Sequence, residues 1–382
     1  MSIIKSRLGG KLLTPEKDEV TGVISYKLFN PQNRIQQNFY FTSISMSLDD
    51  RFLVYLSSTP EDKKQNLWIT DFEKEEVRPL ITRGFDVESC VLDEKRGKIW
   101  YARDGVCYGV NIEDTTPDRE EYLFEFPQEI AKGQTVKSFS NHLSLNGKNN
   151  RIAYSGGVGK YWYVGYYDLD EKSHNIIHKS IPKATHVQYA PDMSDRILFC
   201  HDWWTSEETG EKHSWDHRLW MYDPSKSEPV FPIYFHEHEM GVEHTPFHEY
   251  WQKDGSCIYL CDIPHGVMRH DPQTPDKWEC VWSGRHAHCH SDGTGTRFVS
   301  DINTYAWVDG VTSSLAYFNK ATGKEGYISL TVPPATKFPN KDGRHYHSHP
   351  HPTFSPSDKW ILYGNTKHSQ MNLSIVDCDD IF

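Results

Sequence analysis

Apolar and polar positions alternate in short stretches throughout the chain, and turn residues separate these stretches. Each of the stretches FLVYL, KIWYAR, RIAYSG, RILFC, CIYLC, RFVSD and KWILYGN follows a turn that contains Asp, Asn or Gly. Such alternation is typical of a β-strand that buries one face. The pattern therefore predicts many short strands and almost no helix.

The predicted strands recur as a unit with a short strand, a turn, an alternating strand, a loop and a third strand that ends near Asp. The unit repeats about every 40–55 residues, which is the range of propeller blades made of four antiparallel strands. Seven units predict an all-β fold, a seven-bladed β-propeller that forms one domain over residues 1–382. The predicted blade limits are 40–83, 86–127, 136–181, 185–235, 244–283, 285–334, and 345–382 plus 20–30.

The last unit lacks an outer strand, and the N-terminal segment TGVISYKLF (Thr21–Phe29) resembles the end of a blade without its beginning. Pairing the two would close the ring and remove the free sheet edges that an open propeller would leave. We therefore expect an N-terminal strand to complete the C-terminal blade.

Composition limits the classes of function. The chain has a formal net charge of −12 and no basic stripe, which argues against a nucleic-acid partner. No apolar run is long enough for a signal peptide or a membrane span. The 8 cysteines form no CxxC pair, which favours reduced thiols in a cytoplasmic protein. The oligomeric state stays open.

Histidines are concentrated in the C-terminal half, most densely in HYHSHPHP, residues 345–352. Alternate residues of an extended strand point to the same side, so this row presents four imidazoles on one face. Such a face suits a metal ion or proton transfer near neutral pH. The alternative is a solvated histidine-rich loop.

Three predicted blades begin with histidines. His244 and His248 precede or open the inner strand of the fifth blade, RHAHCH (Arg285–His290) that of the sixth, and the row at 345–351 that of the seventh. Propellers bind ligands at the channel face where inner strands begin. Imidazoles without thiolate partners suit Mn, Fe, Co, Ni or Zn with an open coordination position. The spacing thus predicts a shared site of catalytic type.

With this repeat and these histidines, the chain resembles the oligogalacturonate lyases, which are seven-bladed propeller enzymes of pectin breakdown in the cytoplasm. The resemblance is sharpest at HRLWMYD (His217–Asp223), HEYWQKDG (His248–Gly255), SDG (Ser291–Gly293) and SHPHPTFSPSDKWILYGN. It implies a uronate oligosaccharide as substrate, cleavage by β-elimination, and a divalent metal, with Mn²⁺ as the ion, held by three histidines and a glutamine.

By motif, the resemblance assigns two metal ligands to His349 and His351. The third falls on His286 or, as the second choice, on His288.

The family's glutamine is missing, because Tyr346 stands three residues before His349. His345 or His347 is an alternative fourth ligand, so the metal and the exact substrate stay open.

The same motifs assign a catalytic arginine to Arg218 and the base to His248, with His244 as the rival base. The chemistry agrees: a metal-bound uronate carboxylate stabilises the charge that develops when a neutral imidazole removes the C5 proton. Structural alternatives are an ion pair of Arg218 with Asp216 or Asp202, and a core His248 bonded to a backbone carbonyl. Alternative functions are a lyase or glycosidase for another uronate glycan, or a non-catalytic interaction scaffold.

Overall fold

Antiparallel strands make up nearly all of the regular structure in the described part of the chain. The computed structural model describes residues 3–59, 62, 64–85, 90–140, 142–202, 204–206, 209–213, 217–233, 245–263, 265–274, 277–302, 313–332, 349–368 and 370–382. Helix within these ranges is confined to Gln128–Ala131 and to two 3₁₀ turns, Ile4–Arg7 and Cys378–Asp380. None of the helices found there is long and apolar enough to cross a membrane.

Seven antiparallel sheets of four or five strands follow one another along the described residues, and an eighth sheet is a two-stranded hairpin. The N-terminal strands are β1 (Leu13–Lys17) and β2 (Ile24–Leu28). The first blade is β3 (Ile35–Gln37), β4 (Phe52–Ser58), β5 (Gln65–Asp71) and β6 (Glu76–Phe85). The second is β7 (Val91–Asp93), β8 (Lys98–Arg103), β9 (Val106–Asn111) and β10 (Glu121–Glu125). The third is β11 (Ser144–Leu145), β12 (Arg151–Val158), β13 (Tyr161–Asp168) and β14 (Ser173–Ser180).

The fourth blade is β15 (Lys183–Tyr189), β16 (Ile197–Asp202), β19 (Leu219–Tyr222) and β20 (Val230–Pro232), interrupted by a hairpin of β17 (Trp204–Thr205) and β18 (Lys212–His213). The fifth is β21 (Thr245–Trp251), β22 (Ile258–Ile263), β23 (Gly266–His270) and β24 (Trp278–Ser283). The sixth is β25 (His286–Ser291), β26 (Arg297–Ile302), β27 (Ser313–Asn319) and β28 (Lys324–Val332). The seventh contains β29 (Thr353–Phe354), β30 (Trp360–Asn365) and β31 (Asn372–Asp377).

The N-terminus closes the ring, as the sequence predicted. Strand β2 pairs antiparallel with β31, with Tyr26 opposite Ile375, and β1 adds a fifth strand outside it. Pro15 lies in this outermost strand, where the missing N–H of proline is tolerated because no other described strand pairs with that edge. The predicted seven-bladed β-propeller is therefore confirmed.

Hydrophobic cores lie between blades rather than within them. Among the described residues, seven large clusters of buried side chains each join neighbouring blades. The cluster between the first and second blades includes Leu67 and Ile99, and the one between the seventh and first includes Trp360 and Tyr55. Burial of apolar area at seven successive interfaces stabilises the ring, and it leaves the innermost strands to line a channel.

Candidate active site in the channel

Five consecutive blades, the third to the seventh, each place a histidine at the same position. Four residues after each histidine, a backbone N–H donates to the carbonyl of the residue that leads into the second strand. These bonds are Asn146 to Arg151, Ala190 to Arg196, Gln252 to Cys257, Asp292 to Arg297, and Ser355 to Trp360. The equivalent histidines are His142, His186, His248, His288 and His351. Propeller symmetry therefore directs them toward a common axis.

β-Bulges set the direction of three of these side chains. In the inner strands of the fourth, fifth and sixth blades, the pairing register slips so that two residues oppose one. The paired sets are His186 and Val187 opposite Phe199, His248 and Glu249 opposite Leu260, and Ala287 and His288 opposite Asp301. Because a bulge interrupts strand alternation, simple period-two counting fails at these positions.

Tyr40, in the loop after β3, lies among the histidines. Its ring centroid is 4.8 Å from that of His142, 5.6 Å from His186, 5.3 Å from His351 and 6.3 Å from His288. The buried tyrosine ring thus brings together imidazoles from four different blades.

His288, His349 and His351 form a cluster with the geometry of a metal site. One ring nitrogen of each lies within 4.8 Å of the others, and all three side chains are buried. Asp301 lies behind His288 and accepts hydrogen bonds from its backbone N–H at 2.7 Å and from its Nδ1 at 3.0 Å. A carboxylate that holds Nδ1–H leaves Nε2 as the ligand atom, which is a common arrangement at metal-binding histidines.

His286, the first choice for the third ligand, is not part of this cluster. Its ring packs on Trp282 with a centroid distance of 4.0 Å, and its Nε2 is 3.3 Å from the carbonyl oxygen of Ser283. The bulge rotates His288, and not His286, toward His349 and His351. On this geometry His288 is the better candidate for the third ligand.

His248, the predicted base, lies beside this cluster, with its ring centroid 4.0 Å from that of His288. Its Nδ1 donates to the carbonyl oxygen of Ala287 at 2.6 Å, so the backbone bond considered as a structural alternative is present. That bond fixes the tautomer and leaves Nε2 unprotonated. Burial lowers the pKa of His248 to about 4, so the ring is neutral at neutral pH.

Arg218, directly before β19, is buried within an ion-pair network. Its guanidinium is 3.5 Å from Asp202 and 3.8 Å from Glu249, and it lies over the ring of Phe247. Glu249 also accepts a hydrogen bond from Nδ1 of His186 at 3.1 Å. Burial disfavours the charged carboxylate, but Arg218 and His186 outweigh this and lower the pKa of Glu249 to about 2.

Several predicted residues lie outside the described part of the chain. They are the rival base His244, the tyrosine Tyr346 at the glutamine position, the alternative ligands His345 and His347, and the acidic residue Asp216.

Sequence reasoning missed Tyr40, His142, His186, Glu249 and Asp301. The two histidines carry a usable signal: each stands four residues before the residue that opens the turn, as His288 does before Asp292. The two carboxylates carry none, because each becomes relevant only through pairing across strands or blades.

A cavity of about 360 Å³ lies at the other end of the channel, where the inner strands finish. Its lining includes Asn146, Gln188, Trp251 and Ser355, which are turn and late-strand residues, and none of the five equivalent histidines. The candidate chemistry is therefore concentrated at the end where the inner strands begin.

Fold and site together define a seven-bladed β-propeller with a histidine-lined channel. In sequence, the chain is 29% identical over 194 residues to the oligogalacturonide lyase of Pectobacterium atrosepticum and 27% identical over 194 residues to the oligogalacturonate lyase of Dickeya dadantii. Each alignment covers 47% of this chain and 45% of the relative, so the match spans about half the length of these curated relatives. No protein-family model matches the chain.

In structure, the chain matches an oligogalacturonate lyase solved in complex with manganese, with a TM-score of 0.74, 19% identity and coverage of 96% of both chains. This likeness extends to the whole ring, although identity at that level supports the fold alone. Taken together, the chain resembles the oligogalacturonate lyases in fold over the whole ring and in sequence over about half of its length.

Proposed function

We propose that this protein is a metal-dependent lyase that cleaves oligogalacturonate or a related uronate oligosaccharide by β-elimination. One observation carries the proposal: the cluster of His288, His349 and His351 lies in direct ring contact with the neutral His248. Metal ligands and a base from adjacent blades are thereby close enough to act on one sugar residue.

The residues present fit a divalent ion. Three buried imidazoles supply borderline donors that suit Mn²⁺ and its first-row neighbours. Asp301 is a buried carboxylate whose described partners include no lysine or arginine, so a cation held by the imidazoles would compensate its charge. When bound, such an ion supplies a Lewis acid for the substrate carboxylate. Manganese is the ion of the structurally similar lyase complex.

His248 is the proposed base. It removes the proton from C5 of the uronate, which is acidified because it lies next to the carboxylate. The bond from Nδ1 to Ala287 holds the ring in the tautomer that accepts a proton at Nε2. Arg218 is the proposed partner of a substrate carboxylate, since its fork of donors matches two carboxylate oxygens. Asp202 at 3.5 Å and Glu249 at 3.8 Å hold the guanidinium of Arg218 in place.

A cytoplasmic location belongs to the same proposal. All eight cysteines are free thiols and seven are buried, which agrees with a reducing compartment.

The test is a lyase assay on purified protein. Wild-type protein stripped of metal and reloaded with Mn²⁺ is offered galacturonate, glucuronate and mannuronate oligomers, and ultraviolet absorbance of the new C=C bond is followed. We expect metal-dependent absorbance with at least one oligomer. New reducing ends without absorbance would indicate a glycosidase, and no cleavage of any oligomer would favour an interaction scaffold.

A further inference from the structure

The proposed β-elimination requires two proton transfers, and the residues considered so far perform only one. His248 takes the C5 proton, but the oxygen that leaves C4 departs as a poorly stabilised alkoxide unless it receives a proton. A second proton-transfer group is therefore expected near His248.

His186 occupies the equivalent position in the preceding blade. Both histidines are the first residue of a bulge, and both have a positive φ of 54°, a conformation uncommon for residues other than glycine. The two imidazoles are held at Nδ1 by different partners. The partner of His248 is the neutral carbonyl of Ala287, whereas the partner of His186 is the carboxylate of Glu249.

This difference separates the two histidines chemically. A carboxylate accepts from Nδ1–H and stabilises the imidazolium that forms when Nε2 also carries a proton. A carbonyl does so far less, and the partner that His248 has at Nδ1 is the carbonyl of Ala287. Glu249 is buried and ionised, and it immediately follows His248 in the chain. The two hydrogen-bond partners thus suit one histidine to give a proton and the other to take one.

The other groups that face His186 are consistent with a role for this histidine as a proton donor. Tyr40 and His142 contact its ring at centroid distances of 5.6 and 4.8 Å. Burial, followed by the influence of His186, keeps the pKa of His142 well below its usual value, so His142 adds no charge. Lys183, which lies on the same strand as His186, also lowers the pKa of His142.

A second metal site is the competing explanation, because His186, Cys200 and Glu249 also bring ligand atoms within 4.8 Å of one another. The guanidinium of Arg218 lies 3.8 Å from the same carboxylate. A cation added there would meet a fixed positive charge, so an ion-pair network explains the cluster better.

We propose that His186 is the general acid of the elimination and that Glu249 is its positioning residue, an inference that rests on the proposed function. The C5 proton passes to Nε2 of His248, and the electron pair of the C5–H bond forms the C4=C5 bond. The C4–O bond breaks, and its oxygen receives the proton from Nε2 of His186. Water then reprotonates His186 and deprotonates His248, so atoms and charge balance.

The test varies the leaving group. A natural uronate oligomer is compared with a uronate that carries 4-nitrophenoxide at C4, which departs as a stable anion without a proton. His186→Gln should lose about 10²–10⁴ in rate on the oligomer and remain near wild type on the nitrophenoxide substrate. His248→Ala should be impaired on both, because C5 deprotonation is common to them.

His174→Gln is the matched control, since it changes a histidine on the outermost strand of the third blade whose Nδ1 lies 2.9 Å from the hydroxyl of Tyr154. We expect near-wild-type rates with both substrates. Circular dichroism and melting temperature confirm that each variant is folded. Equal losses for His186→Gln on both substrates, or no loss on the oligomer, would overturn the acid assignment. A metal equivalent that is lost in Cys200→Ser would also overturn it. If wild-type protein produces no unsaturated product from either substrate, the proposed function itself fails.

Discussion

Two buried carboxylates on neighbouring blades, Glu249 and Asp301, each accept a hydrogen bond from Nδ1 of a channel histidine, at 3.1 and 3.0 Å. Their charges are compensated differently. Arg218 lies 3.8 Å from Glu249, and the pKa of Glu249 is lowered to about 2. No described lysine or arginine pairs with Asp301, and burial raises its pKa above the usual value.

The comparison divides the channel into two halves. The half formed by the fourth and fifth blades contains a fixed cation, Arg218, and on the proposed function its histidines His186 and His248 transfer protons. In the described residues of the sixth and seventh blades, the other half presents imidazoles and a carboxylate that no lysine or arginine pairs with, an environment that a divalent ion would stabilise. On the proposed function, an acidic chain would obtain local positive charge from Arg218 in one half and from a bound ion in the other.

The largest effect is expected when the metal half is removed. His349→Ala combined with His351→Ala deletes two of three proposed ligands, so stoichiometric metal and lyase activity should both be abolished. Metal content is measured by elemental analysis of protein dialysed against Mn²⁺. The matched control is His368→Ala, which removes an exposed histidine paired with Glu16. Metal retained by the double variant, with intact β-type circular dichroism, would contradict the assignment.

A variant of the proposed base, His248, tests the half of the channel that the fourth and fifth blades form. His248→Ala should lower kcat by about 10²–10⁴ while metal content and fold are retained, because the imidazole acts on the C5 proton and not on the ion. Steady-state kinetics and elemental analysis on the same sample separate the two effects. His244→Ala tests the rival base: if it is inactive while His248→Ala is active, the two roles are exchanged.

Arg218→Lys retains the positive charge next to Glu249 but loses the planar fork. We expect kcat/KM to fall by about 10²-fold with only a small change in melting temperature, because a lysine cannot contact two carboxylate oxygens together. A lower melting temperature with unchanged activity per folded molecule would instead indicate that the ion pairs with Asp202 and Glu249 are purely structural.

The fold could be predicted because the same strand pattern recurs seven times, and the closing strand could be predicted because the last unit is visibly incomplete. The site could be predicted only in part. The choice between His286 and His288 depends on a bulge opposite Asp301, and strand alternation assumes that the register is regular. Glu249 gains its role through His186, 63 positions away in the chain. Such long-range contacts leave no periodic pattern in a single sequence.

Exchanging the two carboxylates for amides sharpens the comparison directly. Asp301→Asn should weaken Mn²⁺ binding about 10- to 100-fold, because the amide no longer orients and polarises His288. Glu249→Gln should leave Mn²⁺ affinity unchanged, since its partners are His186 and Arg218. Isothermal titration calorimetry on the metal-free proteins measures both. Equal weakening in the two variants would show that the channel does not divide in this way.

The smallest expected effect is on the pH dependence of stability. It comes from neutral imidazoles that are buried away from the proposed metal ligands, and it tests whether burial of histidines is specific to the channel. Nε2 of His178 lies 3.0 Å from Nε2 of His201, and burial lowers their pKa values to about 4 and about 3. Both values lie below the 6.5 of an unperturbed histidine, so the unfolded chain binds more protons as the pH falls below 6.5. Stability from these groups is complete above that pH and is lost on acidification.

His201→Phe removes one of the two titrations and can pack against Trp220, whose ring is 4.8 Å from that of His201. Between pH 6.5 and 5, the wild type should lose about 1–2 kcal/mol more unfolding free energy than the variant. Urea denaturation across this range measures how the unfolding free energy of each protein changes with pH. The other buried histidines contribute equally to both slopes, so their contributions cancel in the difference. Equal slopes would mean that this pair does not titrate on unfolding, and the acid sensitivity of the protein would then arise from other groups.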